Sequence, residues 1–175
     1  MLSPTVVELA PMAGITNAAY RQLCREQYEL AGGTDGRFVC EMITSRGLVE
    51  GDPKTRAMLS FDPGETRHSV QLYGVDPEHM ARATTILCDE YGVAHVDLNF
   101  GCPVPKVTRK GGGGALPWKR GLLGEILEHA VAAAAPVCST IRSASAASQM
   151  SPLPRTGMST WSTRAAMASQ SASPE

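Results

Sequence analysis

At 175 residues, with 43% hydrophobic, the chain is long enough for one globular domain with a real core. Lys and Arg number 16 against 17 for Asp and Glu, a near balance that argues against an overall polyanion-binding surface and leaves room only for a local basic patch. Five cysteines, an odd number with no CxxC pair, argue against a zinc site or a disulfide framework. No apolar run reaches membrane-span length, and the N-terminus lacks a charged-then-apolar signal pattern, so a cytoplasmic protein without metal or membrane partners is expected.

Residues 6–10 read as a short apolar strand, stopped by Pro11 and Gly14. Thr16 or Asn17 then caps a helix whose apolar positions are Tyr20, Leu23 and Cys24. Three glycines make residues 31–37 a loop, residues 38–43 a second strand and residues 45–50 a helical turn. Gly51-Asp52-Pro53 and Asp62-Pro63-Gly64-Glu65 are turn signals. Residues 67–73 form a third strand with Gln71 near its end, closed by Gly74. Asp76 caps the next helix, Pro77 takes its first position, and Glu78 favours the positive end of its dipole. Met80, Ala83 and Leu87 give that helix its inner face. A β-branched approach (Val93, Val96, Leu98) predicts a fourth strand ending at Asn99. After the run Gly111 to Gly114, the residues Leu123, Ile126, Leu127, Ala130 and Val131 predict the inner stripe of another helix, and residues 136–141 a fifth strand.

Strand and helix alternating with short connections imply parallel strands with helices packed outside. Met12, Glu41, Gln71 and Asn99 then fall at or near strand ends, where parallel α/β folds bind ligands. The first turn, Pro11-Met-Ala-Gly14, lacks a GxGxxG phosphate loop, and no Gly-Lys-Ser/Thr follows the glycine run. These absences favour the N-terminal half of a (β/α)8 barrel over an open doubly wound sheet.

The stretch Asp97-Leu-Asn-Phe-Gly-Cys-Pro103 sets an amide, Asn99, and a thiol, Cys102, three residues apart where a strand ends. An amide pairs with a donor–acceptor edge such as a pyrimidine's, and a thiol there serves as acid, base or nucleophile. A buried structural cysteine in a Gly/Pro turn accounts for the same residues equally well. His68, His79, His95 and His129 share no spacing and suggest no site.

Three motifs in order, Leu9-Ala-Pro-Met-Ala-Gly14, Val70-Gln-Leu-Tyr-Gly74 and Asp97-Leu-Asn-Phe-Gly-Cys-Pro103 with Lys106-Val107, resemble the tRNA-dihydrouridine synthase family in its bacterial B-type branch. The resemblance covers roughly the first 140 residues. It implies a TIM barrel that binds FMN, takes reducing equivalents from NADPH, and reduces particular uridines of tRNA to 5,6-dihydrouridine. By that resemblance Pro11, Met12 and Ala13 line the flavin ring and Gln71 hydrogen-bonds it. Asn99 holds the uracil, Cys102 protonates its C5, and the loop with Lys106, Arg109 and Lys110 faces RNA phosphates. A thiol's ordinary pKa of about 8.5 suits a proton donor at neutral pH.

Where the family's fifth strand carries a flavin-contacting lysine, this chain reads Cys138-Ser-Thr-Ile-Arg142. Arg142 differs from lysine in shape and proton chemistry. From there serine, alanine and threonine dominate, Glu175 is the one acid and Leu153 the one branched aliphatic. That composition predicts a disordered tail over 142–175 after a partial flavin barrel over 1–141. A reading frame lost near 137–142 explains the abrupt change and leaves a truncated synthase. Two other readings stand beside it: an FMN-barrel reductase of free pyrimidines, and a non-enzymatic remnant or half-barrel that works by pairing with another chain.

Overall fold

The computed structural model describes residues 7–134; the expected fifth strand, Arg142 and the serine-rich segment lie outside them. Four strands, β1 (Glu8–Leu9), β2 (Arg37–Thr44), β3 (Ser69–Tyr73) and β4 (His95–Leu98), form one parallel sheet in the order β1-β2-β3-β4. Each strand pairs with its neighbour in sequence, so the order never reverses. An open doubly wound sheet needs such a reversal and a barrel does not. The sheet is therefore the N-terminal part of a (β/α)8 barrel, as its turn chemistry predicted.

Register explains where the core lies. Cys40, Val70 and Val96 are partners across three strands, as are Ile43, Leu72 and Leu98. Side chains alternate along a strand, so these residues share one face. That face packs against α4 (Pro77–Tyr91), through Met80, Ala83 and Leu87, and against Ile126 of α6 (Arg120–Ala134). Burying a leucine or methionine fully contributes about 1.5–3 kcal/mol. The opposite face is polar. Ser69 lies across from His95, with Oγ and Nδ1 2.6 Å apart, and Gln71 lies across from Asp97. Burial, helped by the charge of Arg37, holds the His95 imidazole below its ordinary value and so in its neutral form.

Local chemistry sets the helix ends. Asn17 caps α1 (Ala18–Leu30) through the Tyr20 amide, and Asp76 caps α4 through the His79 amide. Gly92, at φ +61°, closes α4 in the left-handed conformation. A short helix α2 (Ser45–Val49) follows β2, and Asp52, expected only in a turn, caps the further helix α3 (Pro53–Ala57). Another short helix, α5 (Pro105–Thr108), and a 3-10 helix (Gly113–Trp118) occupy what reads in sequence as loop.

Two expected faces are turned. In α1 the buried residue is Arg21, whereas Tyr20 and Leu23 are 38% and 54% exposed. The reason is a partner far along the chain. Arg21 Nε and Nη2 donate to Glu65 at 2.8 and 2.9 Å, and its other hydrogens reach the carbonyls of Thr16 and Ser60, both at 2.8 Å. A guanidinium so paired outweighs a weak apolar stripe. In α6 the stripe is narrower than expected. Ile126 and Ala130 are buried and Leu122 packs on the core, but Leu127 and Val131 are exposed. Spacing of four along one helix, packed chiefly against α4, selects this narrow row.

Among the described residues no helix is long and apolar enough to cross a membrane, and no group of three or more metal-binding side chains converges.

Candidate active site at the carboxyl ends of the strands

Asn99 extends the sheet by one bond, its amide donating to Leu72 O at 2.9 Å. Its side chain lies two residues beyond Asp97, hence on the same polar face. From there a directed chain of hydrogen bonds runs across β3 and β4. Gln71 Nε2 donates to Asp97 Oδ2 at 2.6 Å, and Asn99 Nδ2 donates to Gln71 Oε1 at 2.9 Å. Asn99 Oδ1 then accepts from the amides of Cys102 at 2.9 Å and Gly101 at 3.3 Å. An ionised carboxylate only accepts, so Asp97 sets the direction of both amides. Each amide nitrogen keeps one hydrogen, and Gln71 Oε1 keeps one lone pair, for a ligand.

The Cys102 turn is gripped from the other side as well. Gly114 N donates to Cys102 O at 3.0 Å. Gly113 sits at φ +52°, and a Cβ there would lie 2.6 Å from Cys102 O. The glycine run thus allows the 3-10 helix to abut the turn backbone to backbone. Cys102 is a half-buried free thiol. Cys40 has the opposite environment: burial pushes its thiol up to about 11, keeping it protonated and inert.

The loop after β1 is built separately. Met12 O accepts from the amides of Ile15 and Thr16 at 3.0 Å, and Thr16 Oγ1 accepts from Met12 N at 3.0 Å. Gly14, at φ +75°, completes the turn, and its amide donates to Glu41 Oε2 at 2.5 Å, tying the loop to β2. Pro11 and Met12 are half-buried and Ala13 is exposed.

Of the residues expected in a site, Gln71, Asn99 and Cys102 are joined in one network. Pro11, Met12 and Ala13 occupy the loop after β1, also at a carboxyl end. Lys106 lies on α5 and Arg109 caps its end, both exposed and outside that network. Sequence reasoning set Glu41 near a strand end without naming its partner, and assigned no role to Asp97 or Gly113. Strand alternation could have found Asp97, which shares a face with Asn99.

Residues 8–149 match the family Dihydrouridine synthase (Dus). The chain is 50% identical over 134 residues to the "Probable tRNA-dihydrouridine synthase" of Mycobacterium tuberculosis (strain ATCC 25618 / H37Rv), covering 76% of this chain and 34% of that protein. It is 39% identical over 130 residues to "tRNA-dihydrouridine synthase B" of Pseudomonas aeruginosa, covering 74% and 37%. With "Probable tRNA-dihydrouridine synthase" of Aquifex aeolicus the identity is 36% over 131 residues, covering 74% and 39%. The chain spans roughly a third of the length of the curated relatives it matches. With the matched range spanning all four strands and the Asp97–Cys102 turn, the chain belongs to the dihydrouridine synthase family.

Proposed function

We propose that this chain carries the pyrimidine-binding and proton-donating part of an FMN-dependent reductase that converts uridines of tRNA to 5,6-dihydrouridine, with NADPH as reductant. The observation that supports the reading is the Asp97–Gln71–Asn99 network, which leaves amide hydrogens free where the strands end and bonds the backbone amide of Cys102. The residues fit a flavin. A Cβ at the exposed Gly14 would meet nothing within 4 Å, so nothing crowds that end of the Pro11–Gly14 loop. Gln71 keeps a hydrogen and a lone pair to match the donor–acceptor edge of the ring. When bound and reduced, the flavin supplies hydride to the pyrimidine. Asn99 has both lone pairs of Oδ1 engaged, so it offers the base a donor and holds it by a carbonyl oxygen. Cys102 gives its proton to the neighbouring carbon, and its turn, fixed at both Asn99 and Gly114, holds the thiol in place. Lys106 and Arg109, exposed beside the turn, suit RNA phosphates rather than a free base.

The test is reconstitution of the chain with FMN and NADPH on unmodified tRNA and on free uracil, with the gain of two hydrogens read by mass. Product from tRNA alone, lost about 10²–10⁴-fold in Cys102→Ala, is the expected result. Product from free uracil would give the small-molecule reading instead. Failure to retain flavin would leave the chain a non-enzymatic remnant.

A further inference from the structure

We propose that Trp118, with Lys119 and Arg120, is a stacking platform for an unpaired base of the bound RNA. The inference rests on the reading of RNA as substrate. Residues 98–124 contain five cations, Lys106, Arg109, Lys110, Lys119 and Arg120, and no acid, in a chain whose net charge is −1. All five are exposed, and none meets a carboxylate among the described residues, whereas Arg21, Arg25, Arg37, Arg46 and Arg56 each do. Within this cluster Trp118 is 89% exposed, the most exposed large hydrophobic among the described residues.

The ring stands on a firm base. Leu116 is 1% exposed and anchors the 3-10 helix, Lys119 N closes it on Leu116 O at 2.8 Å, and Gly114 ties it to the Cys102 turn. The Lys119 ammonium lies over Gly111, where any Cβ would collide with it, and so joins the basic group around Lys110. Trp118 also precedes α6, the helix that follows β4, and such a helix begins at the carboxyl end of the sheet, the end that holds Cys102. An exposed aromatic ring on an anchored turn, among unpaired cations, matches a single strand. The ring stacks on a base while the cations meet phosphates. A duplex hides its base faces and would use only the cations.

The experiment takes the full chain carrying Trp161→Phe, so that Trp118 is the sole tryptophan, and titrates it with a short oligouridylate and with a fully paired RNA hairpin. Oligouridylate should quench the emission and the hairpin should not. Trp118→Ala should weaken oligouridylate binding about tenfold without changing its salt dependence, and Trp118→Phe should restore most of the loss. Lys119→Ala with Arg120→Ala should instead flatten the salt dependence for both RNAs. Equal affinity of Trp118→Ala for oligouridylate overturns the platform alone. Emission already blue-shifted and shielded from acrylamide in the free chain would overturn it too, assigning the ring to a protein contact. Binding of neither RNA at low salt would defeat the RNA reading itself.

Discussion

Two polar networks, one beside the sheet and one across it, differ in what they leave over. Arg21 and Glu65 are 1% and 4% exposed. The guanidinium makes four hydrogen bonds and lies 5.4 Å from the centre of the Phe61 ring. Nearly all its capacity is used, and water does not reach it. The Asp97–Gln71–Asn99 network is also continuous, but Asp97 and Asn99 are half-buried and two amide hydrogens remain unclaimed. Saturated polar groups in a dry site hold a fold in one arrangement. Groups with spare valence and some access to water are held for something else. The first network positions α1; the second can recognise a ligand.

The most disruptive way to test that contrast is to remove one partner of the buried pair. Glu65→Ala leaves an uncompensated guanidinium and should destabilise the chain by about 3–5 kcal/mol in urea unfolding. Arg21→Met with Glu65→Leu should recover most of that loss, because neither charge is then buried. If the double variant is as unstable as the single, packing rather than charge holds α1.

The two cysteines extend the comparison. The Cys40 thiol has an ordinary value of 9.0 and is pushed up to about 11 by burial. Between those values the unfolded chain has lost its proton and the folded chain has not, so stability must fall as pH rises from 9 to 11. The Cys40 contribution is about 2 kcal/mol across that window, and Cys40→Ala should flatten the profile by that amount. In the native chain at neutral pH, peptide mapping after alkylation should find Cys102 modified and Cys40 intact.

Much of this was legible in sequence. Asp76-Pro77 with Met80, Ala83 and Leu87 fixed one helix from cap to inner face, because every signal for it lies within a dozen neighbouring residues. Gln71, Asn99 and Cys102 were legible as a set because the turn chemistry marks where strands end. Arg21 was not, since its partner Glu65 is 44 residues away and no periodicity encodes it. The 3-10 helix was missed for a different reason. Four consecutive glycines carry no helical signal, and only the closeness of the Cys102 carbonyl shows why a side chain is excluded at Gly113. Asp97 carried no signal of its own beside the thiol, although alternation along β4 already set it on one face with Asn99; its place across from Gln71 is a matter of register.

Gly113→Ala probes that closeness. Its positive φ and the 2.6 Å approach to Cys102 O together should cost about 1–2 kcal/mol and shift the turn, read as a change in the alkylation rate of Cys102. Gly124→Ala, in α6 with nothing within 4 Å of its Cβ, should instead stabilise by about 0.5–1 kcal/mol. The pair separates a glycine required by contact from one merely tolerated in a helix.

Asp97→Ala should cost the least, within about 1 kcal/mol, because its carboxylate is half-buried and water can replace it. Its consequence lies elsewhere. Without an obligate acceptor, Gln71 is free to invert, presenting Nε2 to Asn99. Asn99 must then turn its oxygen to Gln71 and its own Nδ2 to the Cys102 amide, where two donors face each other and the bond is lost. Asp97→Asn keeps an acceptor oxygen and should preserve the original direction. Hydrogen exchange at the Cys102 amide, with the side-chain amide resonances of Gln71 and Asn99, reads the difference: about tenfold faster exchange in Asp97→Ala at nearly unchanged stability, and little change in Asp97→Asn. Unaltered exchange in both would mean that the turn, clamped by Gly114, orients Asn99 from its own end and the carboxylate merely follows.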